Sequence, residues 1–422
     1  METIKSIKGT HDILPSEAYK WRFVEDKVRQ ICADFGFKEI RVPVFEYTEL
    51  FKRGVGDTTD VVQKEMYTFI DKGGRDMTLR PEGTAGVVRS LLEHSLDKGT
   101  LPVKLFYIMT CYRNENPQAG RYREFWQFGV ETFGSASPLA DVEIIAIAVE
   151  FLKRIGLTGL VVNINSIGCP VCRNEYNKRL IEFLGSRVNE LCLTCKGRVE
   201  RNPLRVLDCN EKKCAEAVKG APMLIDSLCG ECSIHFDSVQ GLLSDMGITY
   251  GINPKIVRGL DYYTKTVFEI TSDSLGAQST VCGGGRYDGL VEELGGIPLP
   301  GIGFGLGIER LLMCMDGAGV AVPQEDKPLL FVAYIGEKAQ KEANRIVSDL
   351  RSEGISAQMD IVGRSLKAQM KYADKTGALY SVVLGDNEVD SGIADIKAMT
   401  TGDKEHVKLC EIGEYLKGVE VK

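Results

Sequence analysis

Arginine, glutamate and glycine recur along this chain in short clusters whose chemistry suits phosphate handling. Arg80 and Glu82 lie in LRPEGT, Arg113 and Glu115 in YRNE, Arg121 and Arg123 in the polar stretch that follows, and Gln127 and Glu131 just beyond. Arg258 stands in RGLDYY, Arg286 in GGRYDG and Arg310 in GIER. A guanidinium forks onto phosphate oxygens through two parallel charge-assisted hydrogen bonds, and a neighbouring glycine lets a ligand approach the backbone. Any one of these arginines taken alone reads equally well as a solvated surface charge. Their recurrence beside glycine points to polyphosphate recognition by arginines and carboxylates carried on strands.

Other chemistries are excluded by what the motifs lack. The glycines of GIGFGLG (301–307) alternate and never form G-x-G-x-x-G, and no G-x-x-x-x-G-K-[ST], H-E-x-x-H or G-x-S-x-G is present. The four histidines, His11, His94, His235 and His406, stand in no catalytic pattern and read as structural or exposed. Cysteine is different. Eight of the thirteen fall between Cys169 and Cys232, where even scattering would put about two, and in a chain without an export signal such a cluster reads as thiolate or metal chemistry before disulfides. Cys192-x₂-Cys195 and Cys209-x₄-Cys214 have the spacing of a structural zinc site, and Cys169-x₂-Cys172 and Cys229-x₂-Cys232 form two further pairs. The competing reading is small buried residues in a reducing compartment.

Elements must hold these groups in place. Trp21, Val24, Val28 and Ile31 recur at helical spacing before Gly36. KEIRVPVFEY reads as a strand whose Pro43 confines it to an edge or interface. KLFYIMTCYR and REFWQFGVETFG read as two antiparallel strands across a long loop, followed by a helix capped near Ser137 to Asp141 and a strand in VVNINSIG. TVFEITS reads as a strand, CGGGRYDG as a turn and VEELGG as a short helix; beyond a Gly/Pro-rich stretch, strand and helix alternate as in a small α/β domain. The expected partition is a core in two pieces, 1–168 and 251–320, interrupted by a cysteine-rich insertion at 169–250, with a linker at 321–327 and a last domain at 328–422.

The 52 basic and 59 acidic side chains leave a net charge of −7, so a nucleic-acid partner would have to meet local basic patches. No segment approaches the roughly 18 apolar residues of a membrane span, and METIKSIKGTHDILP lacks the apolar core of a secretory signal. An intracellular, cytoplasmic protein with no membrane partner is expected.

FGFKEIRVPVFEYTELF, YRNENPQAGRYREFWQFGVE and GIGFGLGIERL resemble, in order, the three signature motifs of class II aminoacyl-tRNA synthetases, and RGLDYYTKTVFEI and GGRYDGLVEELGG resemble the signatures of the histidine-specific branch. The resemblance spans the chain. It implies an α+β fold, with a mostly antiparallel sheet flanked by helices, a homodimer built on the first motif and a C-terminal anticodon-binding domain. It implies ATP-dependent activation of L-histidine, with Mg²⁺ on the phosphates, and transfer to tRNA(His). The carboxylate of the substrate is then itself the nucleophile, so alignment and charge stabilisation suffice.

By the same resemblance, Arg113 meets the α-phosphate and the histidine carboxylate, Glu115 the adenine end, Arg310 the γ-phosphate, and Arg121 approaches ATP from the loop. Glu82, Gly83, Thr84 and Gln127 match the residues around the α-amino group, Glu131 and Tyr263 the pair on the imidazole nitrogens with Tyr262 beside them, and Arg258 an arginine on the α-phosphate during activation. Asn114 and Asn116 depart from the bulkier or charged residues of relatives, which touches the loop and not the Arg113/Glu115 pair. In the last domain Arg364, Lys367, Lys371 and Lys375 make a basic stripe at helical spacing, interrupted by Asp374, which the resemblance turns into a tRNA contact. Arg198, Arg201 and Arg205, beside the cysteines, are a second candidate contact. The rival readings are a synthetase-like regulatory subunit of ATP phosphoribosyltransferase and a zinc-dependent nucleic-acid-binding module.

Overall fold

The computed structural model describes residues 3–57, 59–207, 209, 211–272, 280–324 and 327–419; residues 208 and 210 of the expected insertion and 325 and 326 of the expected linker lie outside the described residues. The chain divides into a unit of Met1–Pro323 and a unit of Gln324–Lys422.

Strands of the first unit are β1 (Lys38–Glu39), β2 (Phe45–Tyr47), β3 (Tyr67–Ile70), β4 (Asp76–Leu79), β5 (Val103–Tyr112), β6 (Glu124–Phe133), β7 (Leu160–Ser166), β8 (Tyr250–Ile252), β9 (Thr264–Ser272), β10 (Thr280–Arg286) and β11 (Gly301–Gly307). Eight of them form one sheet in the order β1-β5-β6-β11-β10-β9-β7-β8, antiparallel except at its two ends. Strands β2-β4-β3 form a small antiparallel sheet. The helices are α1 (Pro15–Asp34), α2 (Thr48–Val55), α3 (Thr84–Glu93), α4 (Pro138–Arg154), α5 (Pro170–Gly185), α6 (Leu193–Arg201), α7 (Leu204–Leu207), α8 (Lys212–Ala217), α9 (Gly230–Asp245), α10 (Leu290–Glu293) and α11 (Ile308–Gly317). A mostly antiparallel sheet flanked by helices is the architecture that the resemblance implies.

Alternation along the central strands sorts their side chains between two faces. Phe128 and Val130 of β6, Ile302, Phe304 and Leu306 of β11, and Phe268 and Ile270 of β9 share one core with α1, α4, α9 and α11. Each apolar side chain fully buried there contributes about 1.5–3 kcal/mol. The intervening residues, Gln127, Gly129 and Glu131 of β6 and Gly301, Gly303 and Gly305 of β11, therefore face the opposite side, and a register slip of one residue would exchange the two sets. Helix α1 buries its expected stripe of Trp21, Val24, Val28 and Ile31. Helix α4 starts on Ser137, whose hydroxyl accepts from Leu139 N at 3.3 Å.

Two sequence expectations change. KEIRVPVFEY is not one strand: β1 and β2 are edge strands of different sheets, with Pro43 in the link between them. CGGGRYDG is not a turn, because Cys282 to Arg286 belong to β10. Its glycines serve close packing. A Cβ on Gly284 would stand 2.2 Å from Gly303 O, and one on Gly285 2.7 Å from Thr266 O.

In the second unit β12 (Leu330–Tyr334), β13 (Ala357–Met359), β14 (Tyr380–Leu384), β15 (Ile393–Ala398) and β16 (Lys404–Lys408) form a mixed sheet in the order β13-β12-β14-β15-β16, accompanied by α12 (Glu337–Ser352), α13 (Leu366–Lys375), α14 (Asp386–Ser391) and α15 (Ile412–Gly418). No helix among the described residues is long and apolar enough to cross a membrane.

Candidate active site

Two cavities open on the glycine-bearing face of the large sheet. The smaller, of about 150 Å³, is lined among others by Glu82, Thr84, Tyr107, Gln127, Glu131, Tyr262, Tyr263 and Tyr287. The larger, of about 700 Å³, is lined by Glu65, Glu115, Arg121, Phe125, Glu269, Glu309 and Arg310 among others. They share Val61, Arg113, Arg258, Gly259, Gly283 and Gly305, so the two arginines stand where one space passes into the other.

Glu131 forms the floor of the small cavity. Its carboxylate accepts from Thr84 Oγ1 at 2.7 Å, from Tyr107 OH at 3.2 Å and from the Tyr287 hydroxyl. Burial pushes this carboxyl up to about 8, against the three hydroxyls, which favour the charged form. Directly across the sheet Glu131 pairs with Gly303. Tyr107 likewise lies opposite Gly129. Glu82 holds the start of α3, accepting from Thr84 N and Ala85 N at 2.7 Å each. Gly83 stands just outside the lining, and its N–H donates to Gln127 Oε1 at 3.1 Å. Tyr262 and Tyr263 are tilted against each other with ring centroids 4.6 Å apart.

The larger cavity is polar and mixed in charge. Arg258 donates to Glu269 at 2.6 Å, while its Nε is buried with no hydrogen-bond partner among the described residues. Arg113 donates to Pro81 O at 2.9 Å and lies over the Phe125 ring. Arg121 approaches Glu115 at 3.6 Å, and Arg310 donates to Thr280 O at 3.0 Å. Burial raises the carboxyl of Glu115, and that of Glu309 to about 7 despite the Trp126 N–H it accepts.

Several arginines depart from the sequence expectation of strand-borne phosphate ligands. Arg113 follows the end of β5, Arg121 and Arg258 stand in loops, and Arg310 is on α11. Arg80 is buried and spends its guanidinium on Val42 O, Pro43 O and Thr110 O. Arg286 is fully buried against Asp141, whose other oxygen contacts His235 Nε2 at 3.2 Å. Both are structural because distant parts of the chain supply their acceptors. Arg198 pairs with Asp60 at 2.5 Å, and Arg205 donates to Arg258 O at 3.1 Å, so these two line the larger cavity and do not project outward. Tyr107, Tyr287 and Glu269 were absent from the sequence reading. Tyr287 lies within the GGRYDG signature, alternation puts Glu269 on the same face as Val267, and Tyr107 is marked only once β5 pairs it with Gly129 of β6.

In the second unit Lys367, Lys371 and Lys375 are exposed on α13. Arg364 precedes the helix; it pairs with buried Asp360 at 2.5 Å and lies over the Tyr372 ring at 4.4 Å. It therefore serves its own loop as well as the stripe.

Such a sheet, with its paired cavities and arginines at their junction, agrees with the class II synthetase resemblance. The family described as histidyl-tRNA synthetase matches residues 9–170 and 205–311, and that described as anticodon binding domain matches 330–418. The chain is 58% identical to the histidine–tRNA ligase of Acetivibrio thermocellus over 97% of its own length and 98% of that protein, and 54% identical to that of Clostridioides difficile over 98% and 99%. The apo histidyl-tRNA synthetase of S. aureus superposes with a TM-score of 0.85 at 39% identity, covering 98% of this chain and all of that one. A chain from Bacillus halodurans described as an ATP phosphoribosyltransferase regulatory subunit/histidyl-tRNA synthetase shares the fold, with a TM-score of 0.66 at 22% identity. The chain belongs to the histidyl-tRNA synthetase family.

Proposed function

We propose that the protein joins L-histidine to tRNA(His) in two steps. The histidine carboxylate attacks the α-phosphorus of ATP, forming histidyl-adenylate and releasing pyrophosphate; a hydroxyl at the tRNA 3′ end then attacks the carbonyl carbon and AMP departs. The observation that carries this reading is the sharing of Arg113 and Arg258 between the two cavities. A small pocket ending on Glu131 suits the amino acid, the larger one suits ATP, and the reacting atoms meet at two fixed positive charges that need no proton transfer.

Glu131 supports imidazole recognition, since a substrate without ring N–H groups would withhold the further donor this buried group can take, and polar mismatches of that kind reject by factors of about 10⁴. Tyr262 and Tyr263 line the pocket beside it, and Glu82, Thr84 and Gln127 suit the amino-acid backbone atoms. Gly83 acts through Gln127. Glu115, Arg121 and Arg310 suit ATP. Oxygen donors fit Mg²⁺, and Glu269, with its carboxylate partly exposed in the larger cavity, would help hold the ion, which neutralises phosphate charge. Lys367, Lys371 and Lys375, with Arg364, suit contact with tRNA. Exposed Phe45, Tyr47, Phe69 and Ile70 on the small sheet support a homodimer, and family membership supports a cytoplasmic location.

Cys192, Cys195, Cys209 and Cys214 suit a structural zinc ion. Their sulfurs lie within 4.8 Å of one another, Cys192 Sγ is 3.9 Å from Cys209 Sγ, and Cys192 N donates to Cys214 Sγ at 3.2 Å. Histidine-dependent exchange of pyrophosphate into ATP, followed by charging of tRNA(His), tests the catalytic reading; a protein that binds histidine but exchanges nothing would be a regulatory subunit instead.

A further inference from the structure

The remaining four clustered cysteines come from the two ends of the insertion. Cys169 and Cys172 occupy the start of α5, just after β7; Cys229 and Cys232 occupy the start of α9, which leads back to β8. Some 57 residues separate the pairs in sequence, yet all four sulfurs lie within 4.8 Å of one another. Cys169 Sγ is 3.7 Å from Cys172 Sγ and 3.9 Å from Cys229 Sγ.

These distances discriminate between chemistries. A disulfide needs sulfurs about 2.05 Å apart. A tetrahedral ion bound to thiolates at about 2.3 Å puts the sulfurs about 3.8 Å from each other. A polynuclear iron–sulfur cluster would force the thiolates wider than 4.8 Å, so the space fits one ion. Each pair is a C-x₂-C turn at a helix start, where unpaired backbone N–H groups and the helix dipole favour thiolate charge. Cys229 N already donates to Cys172 Sγ at 3.1 Å. Cys172 and Cys232 are buried while Cys169 and Cys229 are half-buried, leaving an entry path.

We propose that Cys169, Cys172, Cys229 and Cys232 form a second structural zinc site, at the root of the insertion and independent of the one at Cys192, Cys195, Cys209 and Cys214. Four thiols lose their protons as the ion binds, and four thiolates leave no coordination position for substrate. Between the two pairs α6, α7 and α8 are short, of nine, four and six residues, and helices of that length gain most from a metal staple. The histidyl-tRNA synthetase family match omits residues 171–204, which hold Cys172 as well as Cys192 and Cys195. The root also bears on the histidine pocket. Gly168 O accepts from Lys265 N at 2.9 Å and Ile167 N donates to Lys265 O at 2.8 Å, so the segment entering the site is hydrogen-bonded two residues beyond Tyr263.

Metal content tests this without reference to catalysis, so the functional reading can fail while the metal site stands. Full-length protein purified without chelator is expected to hold two zinc ions per chain. Cys229→Ser/Cys232→Ser should leave one, and Cys192→Ser/Cys195→Ser should leave the other one. On the parental protein, where folding of a variant is not in question, native alkylation read by mass spectrometry should spare Cys169, Cys172, Cys229 and Cys232 until a zinc chelator is added. One zinc or less in the parent, an unchanged count in the root variant, iron in place of zinc, or root thiols that alkylate at once would each overturn the proposal.

Discussion

Arg258 and Glu269 meet at 2.6 Å on the border between the two cavities, a positive and a negative side chain both facing the space where phosphate would lie. The pair keeps the arginine's head aimed into the cavity, and its buried Nε remains available to an acceptor.

Replacing Arg258 by alanine is expected to lower histidine-dependent pyrophosphate exchange by about 10²–10³ in kcat, the loss typical of one preorganised donor to a transition state. The melting temperature should change little. Exchange at the parental rate, or a large loss of stability with the rate preserved, would show that the arginine serves only to brace Glu269.

Glu131→Gln should weaken histidine binding tenfold or more while sparing ATP, as titration calorimetry with each ligand would show. It should also alter the pH dependence of stability. The Glu131 carboxyl is raised from 4.5 to about 8 by folding, so between these values the folded state holds a proton that the unfolded state has lost. Stability contributed here is complete below pH 4.5 and falls as pH rises towards 8, with a slope approaching about 1.4 kcal/mol per pH unit. Denaturation of parent and variant at pH 5 and pH 8 reads the difference: the variant should lose less.

A Cβ on Gly303 would stand 1.9 Å from Glu131 Oε2 and 2.3 Å from Val130 O. Gly303→Ala should therefore destabilise by about 1–3 kcal/mol and remove most histidine affinity. Gly307→Ala, where an added Cβ meets nothing within 4 Å, should leave histidine affinity unchanged. Equal losses in the two variants would mean that strand flexibility, and not the space for Glu131, is what matters.

Lys367→Glu with Lys371→Glu should weaken tRNA binding and flatten its dependence on salt while histidine-dependent exchange continues, because the contact is electrostatic and its helix belongs to the second unit. Unchanged affinity at moderate salt would leave the exposed lysines with no role in tRNA contact.

Periodic elements were legible from the chain. The apolar stripe of α1 and the β5/β6 pair announce themselves because their pattern is local. CGGG misled because glycine marks turns and close-packed strands alike, and only the neighbouring strands, with Gly303 O against Gly284, distinguish the two. Arg80 and Arg286 read as ligand-binding because their acceptors, the carbonyls of Val42 and Thr110 and the carboxylate of Asp141, lie far away in sequence. The hydroxyls of Tyr107 and Tyr287 escaped notice for the same reason: they meet Glu131 only once β5, β6 and the segment after β10 are brought together.

Bare backbone at Gly303 and Gly305 forms one wall of the small cavity. No residue is smaller than glycine, so on that side the pocket can be made narrower but never wider. Beside Glu131, room for a bulkier azole would come from trimming Thr84, Tyr107 or Tyr287, and each of these donates to Glu131. Every such enlargement withdraws a hydrogen bond from the carboxylate and makes it harder to ionise. An engineer who resizes the pocket at that end also resets its proton affinity.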